Sequence, residues 1–339
     1  MKILLISPTQ LGIGGIAQHV QGLTKFLKKK GYYVEIISSE NTLTIPIKGL
    51  KNPSFMISSF LKTKFNNAHD IVHAHNISSA LAMKNIKGKK ILSIHGIFSN
   101  QINDLHGKTL ASISSKYEKN ALKWADAITV ISKEAFDYYT NLGYNVFQVP
   151  NAIDIPSLET NVDKRYSKQI IFAGRLSHEK GIDSLISISK KLTDDIDLII
   201  LGTGPEEEKI NQLVKNHKNV HFFGYQNKNK TISLIRGSDI LIQPSLHEGI
   251  SSTILEAMAC KTAIIASDIG GNRELIENNL NGITIKPHNI DSFVEQIINL
   301  FDNKKLHQLL VDNALKTVEK YNWNEVGNLY LNVYESVLD

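Results

Sequence analysis

The stretch QIIFAGRLSHEKGIDSLISISKKLTDDIDLIILGTG, residues 169–204, decides the fold, because it contains two apolar strands with one helix between them. Neither QIIFAG (169–174) nor DLIILG (197–202) alternates apolar and polar residues, which is typical of parallel strands that helices cover on both faces. Similar runs recur along the chain, at 2–8, 33–39, 70–75, 90–96, 127–132, 220–225, 239–245, 262–268 and 282–287. Strand–helix alternation on this scale predicts an α/β fold with doubly wound parallel sheets.

Length and composition are those of a two-domain globular protein. The chain has 339 residues, of which 42% are hydrophobic and 21% charged, enough for two ordinary cores. No apolar run approaches the roughly 18–20 residues of a membrane span. MKILLIS at the start is expected to be a buried strand rather than a signal peptide. The single cysteine, Cys260, fits a reducing compartment, so we expect a cytoplasmic protein.

A polar, proline-containing stretch without periodicity, NAIDIPSLETNVDKRYSK (151–168), divides the chain. The charge changes at the same place: residues 1–150 hold 18 lysines and 8 acids, a net charge of +10, whereas residues 151–339 hold 20 basic residues and 25 acids, a net charge of −5. We therefore predict two Rossmann-like domains, 1–150 and 151–321, that face each other across a cleft. The amphipathic helix at about 322–339 is expected to pack back onto the first domain.

The basic first half is expected to attract an anionic partner, such as lipid headgroups, nucleic acid or a phosphorylated carrier. The alternative is that its lysines only solubilise the surface. The segment NPSFMISSFLKTKF (52–65) mixes aromatic, aliphatic and lysine residues. It is interpreted either as an amphipathic helix that rests peripherally on the anionic inner face of the cell membrane, or as a helix that packs onto its own sheet.

Residues that directly follow strands are the candidates for ligand binding, because ligands bind at the carboxyl ends of the strands in such folds. In the first half they include Gly14, Gly15 and His95. The turn GIGGIA (12–17) can be interpreted as a dinucleotide fingerprint with Glu35 as the ribose-binding acid, but the turn is too long and Glu35 falls too early in its strand. The remaining prediction is a helix N-terminus whose amides favour an anion or a sugar.

The segment GRLSHEKG (174–181) places two cations, Arg175 and Lys180, five residues apart in the loop after the first strand of the second half. A diphosphate needs two converging positive charges, one of them preferably a forked guanidinium. The alternative is a solvated loop whose cations pair with Glu179 or another acid. The position at the carboxyl end of the strand favours the phosphate site.

The segment HEGISSTILEAMAC (247–260) carries two glutamates eight residues apart, Glu248 before a helix and Glu256 inside it. If the stretch were helical throughout, they would lie about 12 Å apart along the axis, roughly the span of a diphosphate. The helix amides between them form an anion site. The alternative for Glu256 is a capping box, in which Thr253 caps the helix and the carboxylate bonds back to the backbone.

These residues resemble the retaining glycosyltransferase family 4, which has the GT-B fold, and the similarity covers nearly all of the chain. It is carried by the Glu248-x7-Glu256 arrangement with EAMAC after it, and by GG at 14–15, VHAHN, IHG around His95, VPNAID, FAGRLSHEKGID, LGTGP, FFGY, SDIGGNRELI and NGI. The chain departs from the family at Ala152, where a PNG-like hinge motif would have glycine, and at 261–263, where a glycine–proline turn is frequent.

The resemblance implies a role for each matching residue. Arg175 and Lys180 would hold the donor diphosphate and offset the charge that develops on the departing nucleotide. Glu256 would bind the ribose hydroxyls and Glu248 the transferred sugar, which His95 would touch from the first domain. The catalytic set would thus be His95, Arg175, Lys180 and Glu248, with Glu248 binding rather than attacking. The other donor-binding positions are Gly14, Gly15, Asn151, Gly174, Gly224, Gly249, Ile250, Ser251, Ser252 and Glu256.

No metal or cofactor is expected. The D-x-D sequence Asp195-Ile-Asp197 precedes a strand and is interpreted as a turn at the amino edge of the sheet, away from the cleft. His73 and His75 would point to the same face of a strand, and with His95 they would suggest zinc. Because no acid or cysteine accompanies them, they are interpreted instead as a polar wall of the cleft.

The resemblance therefore implies a retaining, metal-independent glycosyltransferase. It would move a hexose or N-acetylhexosamine from a nucleotide-diphosphate sugar, with a UDP-sugar favoured, to a lipid-linked or oligosaccharide acceptor of a surface glycan. No nucleic-acid partner is expected. Two alternatives stay open: an epimerase of the same fold that acts on a nucleotide sugar without an acceptor, and a non-catalytic sugar-nucleotide-binding protein.

Overall fold

The computed structural model describes residues 1–11, 15–45, 47, 50–63, 68–95, 108–158 and 161–339, with the backbone alone for 108–115 and 156–157. The chain divides into two compact units, the first made of Met1–Ala152 and Trp323–Asp339 and the second of Ile153–Asn322. Each unit contains one parallel six-stranded sheet with helices around it. The prediction of an α/β fold with two doubly wound sheets is confirmed.

The regular elements of the described residues alternate along the chain. The strands are β1 (Lys2–Ser7), β2 (Tyr33–Ser38), β3 (Ile71–His75), β4 (Lys89–Ile94), β5 (Ala127–Val130), β6 (Val146–Gln148), β7 (Lys168–Ala173), β8 (Ile196–Leu201), β9 (Val220–Gly224), β10 (Ile240–Gln243), β11 (Ala263–Ser267) and β12 (Ile283–Ile285). The helices are α1 (Gly15–Lys29), α2 (Lys51–Thr63), α3 (Ala80–Met83), α4 (Lys108–Lys123), α5 (Lys133–Asn141), α6 (Ile182–Ser189), α7 (Glu207–Asn216), α8 (Lys228–Gly237), α9 (Ser252–Ala259), α10 (Gly270–Leu275), α11 (Ile290–Asp302), α12 (Lys304–Val318) and α13 (Trp323–Leu338).

The first sheet has the strand order β2-β1-β3-β4-β5-β6. Successive residues of β1, from Ile3 to Ile6, are all fully buried, because helices cover both faces of this strand. Taking each such side chain out of water stabilises the fold by about 1.5–3 kcal/mol. The strand order reverses between β1 and β3, so the loops after these two strands flank the ligand crevice of this unit.

The last helix, α13, packs against α1 of the first unit through two glycines. A Cβ at Gly22 would lie 2.1 Å from the Trp323 indole, and a Cβ at Gly327 would lie 2.6 Å from the Phe26 ring. Larger residues at either position would hold the two helices apart. The helix therefore belongs to the core of the first unit, although it follows the whole second unit in sequence.

The second sheet has the strand order β12-β11-β10-β7-β8-β9, which reverses between β7 and β10. A core that includes Phe172, Ile242, Ile265 and Phe293 covers one of its faces. The two loops after β7 and β10 contain the cation segment 174–181 and the beginning of the glutamate segment. The strand order thus places the two predicted donor-binding segments side by side at the reversal point.

The D-x-D sequence lies at the opposite, amino end of the second sheet. Asp195 precedes β8 and pairs with Lys168 Nζ at 2.6 Å. Asp197 is the second residue of β8, within the strand rather than in a turn, and its carboxylate lies 2.7 Å from Nε2 of His221. Both carboxylates therefore have protein partners far from the carboxyl-end crevice, as expected for residues outside a donor site.

Candidate functional site

The loops after β7 and β10 contact each other directly. Gly181 has a φ of +70°, and a Cβ on this residue would lie 1.9 Å from the carbonyl oxygen of Pro244. The amides of Leu246 and His247 donate to the carbonyl oxygen of Glu179, at 2.9 and 3.3 Å. A ligand in the crevice at the strand-order reversal would therefore face two loops that are held together by backbone hydrogen bonds.

Lys180 and Glu248 join these loops through an ion pair. The Lys180 ammonium contacts Oε1 of Glu248, and Gln243 Nε2 and Ser245 Oγ donate to the same oxygen at 2.5 and 3.5 Å. Only 11% of the Glu248 side chain is exposed, so water screens the pair incompletely. No described residue donates to Oε2 of Glu248, which leaves this oxygen for a ligand hydroxyl.

Arg175 differs from Lys180, although the sequence predicts the same role for both. Arg175 is exposed just beyond β7, and no described residue forms an ion pair or hydrogen bond with its guanidinium. The alternative of loop cations paired with acids thus applies to Lys180 alone, and the acid is Glu248 rather than Glu179. An accessible guanidinium and a lysine already engaged with a carboxylate lie in the same loop.

The carboxylate of Glu179 remains ionised beside these cations. Burial alone would raise the pKa of Glu179, but the Ser177 hydroxyl, which donates at 2.6 Å, and the charges of Arg175 and Lys180 hold it below its ordinary value. Glu179 therefore offsets part of the positive charge of the loop, so an incoming anion would depend on Arg175 for most of the attraction.

Helix α9 begins at Ser252, with Ser251 as its N-cap. The Ser251 hydroxyl accepts from the amide of Ile254 at 3.4 Å and from Gln243 Nε2 at 3.0 Å. The capping box with Thr253 as N-cap is therefore wrong, because the helix starts before Thr253. The first-turn amides that Ser251 does not occupy are the donors to which an anion would bind.

The segment before α9 presents its backbone rather than its side chains. Ile250 and Ser251 are buried. A Cβ at Gly271, in the first turn of α10, would lie 1.8 Å from the carbonyl oxygen of Gly249. The close approach of α10 thus fixes the backbone of segment 249–251, while the predicted phosphate and sugar contacts of its amides stay a prediction.

Glu256 lies in the second turn of α9, with only 7% of its side chain exposed. Its Oε1 forms an ion pair with Lys228, the first residue of α8. An isolated carboxylate at this depth would be costly, and a nearby ammonium offsets that cost. Lys228 was not predicted from the sequence, because no local pattern links it to a glutamate 28 residues away.

His95 follows β4 in the first unit and belongs to a cluster of histidines. Its Nε2 lies 3.5 Å from Nδ1 of His75, and the His19 ring centroid is 5.1 Å from its own. Burial lowers the pKa of His95 to about 4, and burial together with the charge of His95 lowers that of His73 to about 3. At neutral pH these imidazoles are therefore uncharged.

The interpretation of His73 and His75 as a polar cleft wall is wrong. Both are fully buried, and Nδ1 and Nε2 of His73 bond the Tyr334 hydroxyl at 2.8 Å and the Ser93 hydroxyl at 2.7 Å. The tyrosine comes from α13, which covers this face of the sheet. The pair shares one face of β3 as predicted, with ring centroids 4.2 Å apart.

Metal-ligand spacing occurs elsewhere in the described part of the chain. Ligand atoms of His178, Asp183 and Glu206 lie within 4.8 Å of one another, whereas the described histidines of the first unit form no such group. Lys209 Nζ contacts the carboxylates of Asp183 and Glu206 at 2.8 and 3.4 Å. One ammonium therefore already pairs with both of these acids.

The remaining predicted donor-binding positions are spread over both units. Gly14 lies outside the described residues, and Gly15 is the exposed first residue of α1. Asn151 is partly buried in the first unit, one residue before its boundary at Ala152, while Gly174 and Gly224 lie at the carboxyl ends of β7 and β9. The second unit thus gathers Arg175, Lys180, Glu248 and Glu256, whereas His95 and Gly15 belong to the first.

An apolar surface lies at α2 of the first unit. Phe55 of this helix is buried in the core, but Ile57 and Leu61 on its other side are 61% and 51% exposed. The preceding segment exposes Leu43, Ile45, Ile47 and Leu50 as well. The interpretation of this helix as one that packs onto its own sheet therefore explains only one of its faces. Within the described residues, no helix has the length and apolarity required to cross a membrane.

Two family models match the chain. The one described as Glycosyltransferase Family 4 matches residues 13–156, and the one described as Glycosyl transferases group 1 matches residues 159–317. Phosphatidyl-myo-inositol mannosyltransferase of Mycolicibacterium smegmatis is 23% identical over 378 residues, covering 99% of this chain and 94% of that protein. An uncharacterised glycosyltransferase of Methanocaldococcus jannaschii is 26% identical over 388 residues, covering 100% of this chain and 99% of that protein.

Solved structures share the fold. Sucrose-phosphate synthase from Thermosynechococcus elongatus superposes with a TM-score of 0.83 at 17% identity, covering 99% of both chains. Anabaena HepE in complex with UDP-glucose superposes with a TM-score of 0.75 at 15% identity, covering 99% of this chain and 100% of that chain.

The two doubly wound units and their superposition on these solved structures show the GT-B fold. Together the two matched segments cover most of the sequence, and the chain belongs to glycosyltransferase family 4. The family resemblance inferred from the sequence motifs is thereby confirmed.

Proposed function

We propose that the protein transfers a hexose or N-acetylhexosamine from a nucleoside-diphosphate sugar to an acceptor hydroxyl, with retention of configuration and without a metal ion. One observation carries the proposal: the loop of Arg175 and Lys180 contacts the loop of Glu248, which leads into the capped N-terminus of the helix that bears Glu256. These groups offer cations and helix amides for a diphosphate, and two carboxylates for the hydroxyls of a sugar and a ribose.

The chemistry assigned to these groups is stabilisation of a departing diphosphate. Arg175, Lys180 and the first-turn amides of α9 lower the energy of the charge that builds on the leaving nucleotide. Glu248 binds a sugar hydroxyl through Oε2 while its other oxygen is held by Lys180, Gln243 and Ser245. This carboxylate is therefore fixed as a binding group, and a phosphate oxygen of the donor accepts the acceptor's proton.

His95 is assigned to the transferred sugar. Its imidazole is neutral at pH 7, because burial lowers its pKa to about 4. A neutral imidazole offers one donor and one acceptor, which suits a sugar hydroxyl better than a phosphate.

A UDP-sugar is the first donor to test. The support is the shared fold of HepE, which was crystallised with UDP-glucose. The proposed acceptor is a lipid-linked or oligosaccharide precursor of a surface glycan, supported by the similarity to a phosphatidyl-myo-inositol mannosyltransferase. We further propose that the protein is cytoplasmic and contacts the anionic inner membrane surface through α2, which exposes Ile57 and Leu61 and begins with the exposed Lys51.

The test begins with thermal unfolding in the presence of UDP-, GDP- and ADP-sugars, because a ligand that binds only the folded state raises its stability. The stabilising donor is then incubated with lipid-linked and oligosaccharide acceptors in EDTA, and the anomeric configuration of the product is read by NMR. Transfer with retention in EDTA is expected. Inversion, or activity that EDTA abolishes, would refute the mechanism.

Two controls separate the alternatives. An epimerase converts the donor in the absence of an acceptor, so a new sugar isomer from donor alone would favour that activity. A non-catalytic binding protein is stabilised by the donor but turns nothing over, and Glu248→Ala then changes affinity alone. Asp195→Asn is the matched control for acid removal, since Asp195 lies at the amino end of the sheet and should leave transfer unchanged.

A further inference from the structure

We propose that Lys228 is a positioning residue for ribose recognition: its ammonium holds Oε1 of Glu256 so that Oε2 faces the ribose hydroxyls of the donor. The inference rests on the proposed function, in which Glu256 binds the ribose, and it adds a residue that no sequence motif marks.

The place of Lys228 in its helix points to a role outside that helix. It is the first residue of α8, after the N-cap Asn227, and no acid occupies this first turn. A lysine here adds positive charge to the positive end of the helix dipole, which is unfavourable for the helix by itself. The contact with Glu256 on α9 compensates for that cost, because the carboxylate supplies the missing negative charge.

Lys228 is the cation that contacts Glu256. Arg236, in the last turn of the same helix α8, donates through Nη1 to the carbonyl oxygen of Leu158 at 3.1 Å. Glu256 accepts no hydrogen bond from its own helix's first turn, where Ser251 is the cap. The orientation of the carboxylate is therefore set by Lys228.

The two oxygens of Glu256 have different surroundings. Oε1 is occupied by the ammonium, whereas Oε2 receives no hydrogen bond from a described residue and is not sealed from solvent. A ribose presents two adjacent hydroxyl donors, and a carboxylate oxygen fixed in one direction accepts from them without losing rotational freedom on binding. Without Lys228 the carboxylate loses both its counter-charge and its direction.

The experiment measures discrimination between ribose and 2′-deoxyribose. The free protein is titrated calorimetrically with ADP, GDP and UDP and with the 2′-deoxy form of each, for wild type, Lys228→Met and Lys228→Arg. Lys230→Met is the matched control, because Lys230 lies in the same helical turn with an equal side-chain exposure of 40% but pairs with Asp163. Thermal unfolding is recorded for every variant.

We expect wild type to bind at least one ribonucleotide about tenfold more tightly than its 2′-deoxy form, as for the loss of one hydrogen bond to a charged group. Lys228→Met should lose most of that preference, Lys228→Arg should restore it, and Lys230→Met should keep it. Equal preference in wild type and Lys228→Met would overturn the inference alone. A wild type that binds none of the six nucleotides would refute the proposed function, and the inference with it.

A double variant covers the case in which Lys228→Met fails to fold. The double variant Lys228→Met/Glu256→Gln removes both charges of the ion pair. Its preference for ribose over 2′-deoxyribose is compared with that of Glu256→Gln alone. If Lys228 acts through Glu256, the two should show the same ribose preference, because removing Lys228 then changes nothing further. A ribose preference in the double variant that differs measurably from that of Glu256→Gln would show that Lys228 acts independently and would contradict the positioning role.

Discussion

Replacement of the two loop cations separates a ligand-binding charge from one that also supports the fold. Arg175 is exposed and has no ion pair with a described residue. Arg175→Met should therefore change the free energy of unfolding by no more than about 0.5 kcal/mol. Its effect should fall on the donor: a lost hydrogen bond to a charged diphosphate is worth about 1.5–3 kcal/mol, which corresponds to roughly 10- to 150-fold weaker binding.

Lys180→Met should behave differently, because Lys180 is the counter-ion of a carboxylate that is only 11% exposed. Gln243 and Ser245 remain as neutral donors to that oxygen, so the loss should be smaller than for a fully buried pair left with one charge. We expect destabilisation of about 1–3 kcal/mol in addition to weaker donor binding. Lys180→Met/Glu248→Gln should recover much of the stability but not the affinity.

Urea unfolding and calorimetric titration with the nucleoside diphosphate that wild type binds would measure both quantities. Lys164→Met, which removes an exposed lysine that pairs with Asp239 at the amino end of the sheet, is the control for charge alone. The reasoning is refuted if Arg175→Met destabilises the protein as much as Lys180→Met does. It is equally refuted if Arg175→Met binds the nucleotide with wild-type affinity.

Three further predictions concern the rest of the molecule. The folded protein holds His73 and His95 with pKa values near 3 and 4, below the ordinary value of 6.5, so the unfolded chain binds more protons in this range. The free energy of unfolding should therefore fall as the pH drops from 6.5 towards 4, by up to about 1.4 kcal/mol per pH unit for each histidine. Urea unfolding of His73→Asn should give a shallower dependence of this free energy on pH than wild type, and an equal dependence would contradict the account. Ile57→Ser/Leu61→Ser should weaken binding to anionic phosphatidylglycerol vesicles about tenfold, as measured by flotation. Leu142→Ser is the control, because Leu142 is also exposed and apolar but lies outside α2, and it should leave vesicle binding unchanged. Equal binding by wild type and both variants would exclude α2 as the membrane contact. Gly271→Ala places a Cβ 1.8 Å from the Gly249 carbonyl oxygen, and it should cost about 1–3 kcal/mol of stability and reduce nucleotide affinity. Gly15→Ala is the control, because a Cβ there would meet nothing within 4 Å and should leave the unfolding midpoint unchanged. Equal unfolding midpoints for the two variants would contradict the packing of Gly271 against Gly249.

The sheets were predictable because both faces of their strands are buried. Runs such as KILLIS become continuous apolar segments once helices cover the sheet on both sides, so the sequence pattern and the strand coincide at β1. Boundaries were less exact where a polar residue acts as a helix cap. The run AITVIS predicts a strand to residue 132, but β5 ends at Val130 and Ser132 caps α5 by accepting from the amide of Ala135.

The candidate site was predictable only where its residues follow strands in sequence. Arg175, Lys180 and Glu248 lie directly after β7 or β10, and their loops meet because the strand order reverses there. The partners of these residues depend on contacts between distant segments. Neither the pair Lys228–Glu256 nor the burial of His73 beneath Tyr334, 261 residues later, leaves a local pattern in the sequence.

A crystal structure with the bound nucleoside diphosphate tests the central claim most directly. The account predicts the diphosphate at the N-terminus of α9 between Arg175 and Lys180, with ribose hydroxyls on Oε2 of Glu256 and Lys228 still on Oε1. A nucleotide bound away from α9, or a ribose that does not touch Glu256, would contradict it.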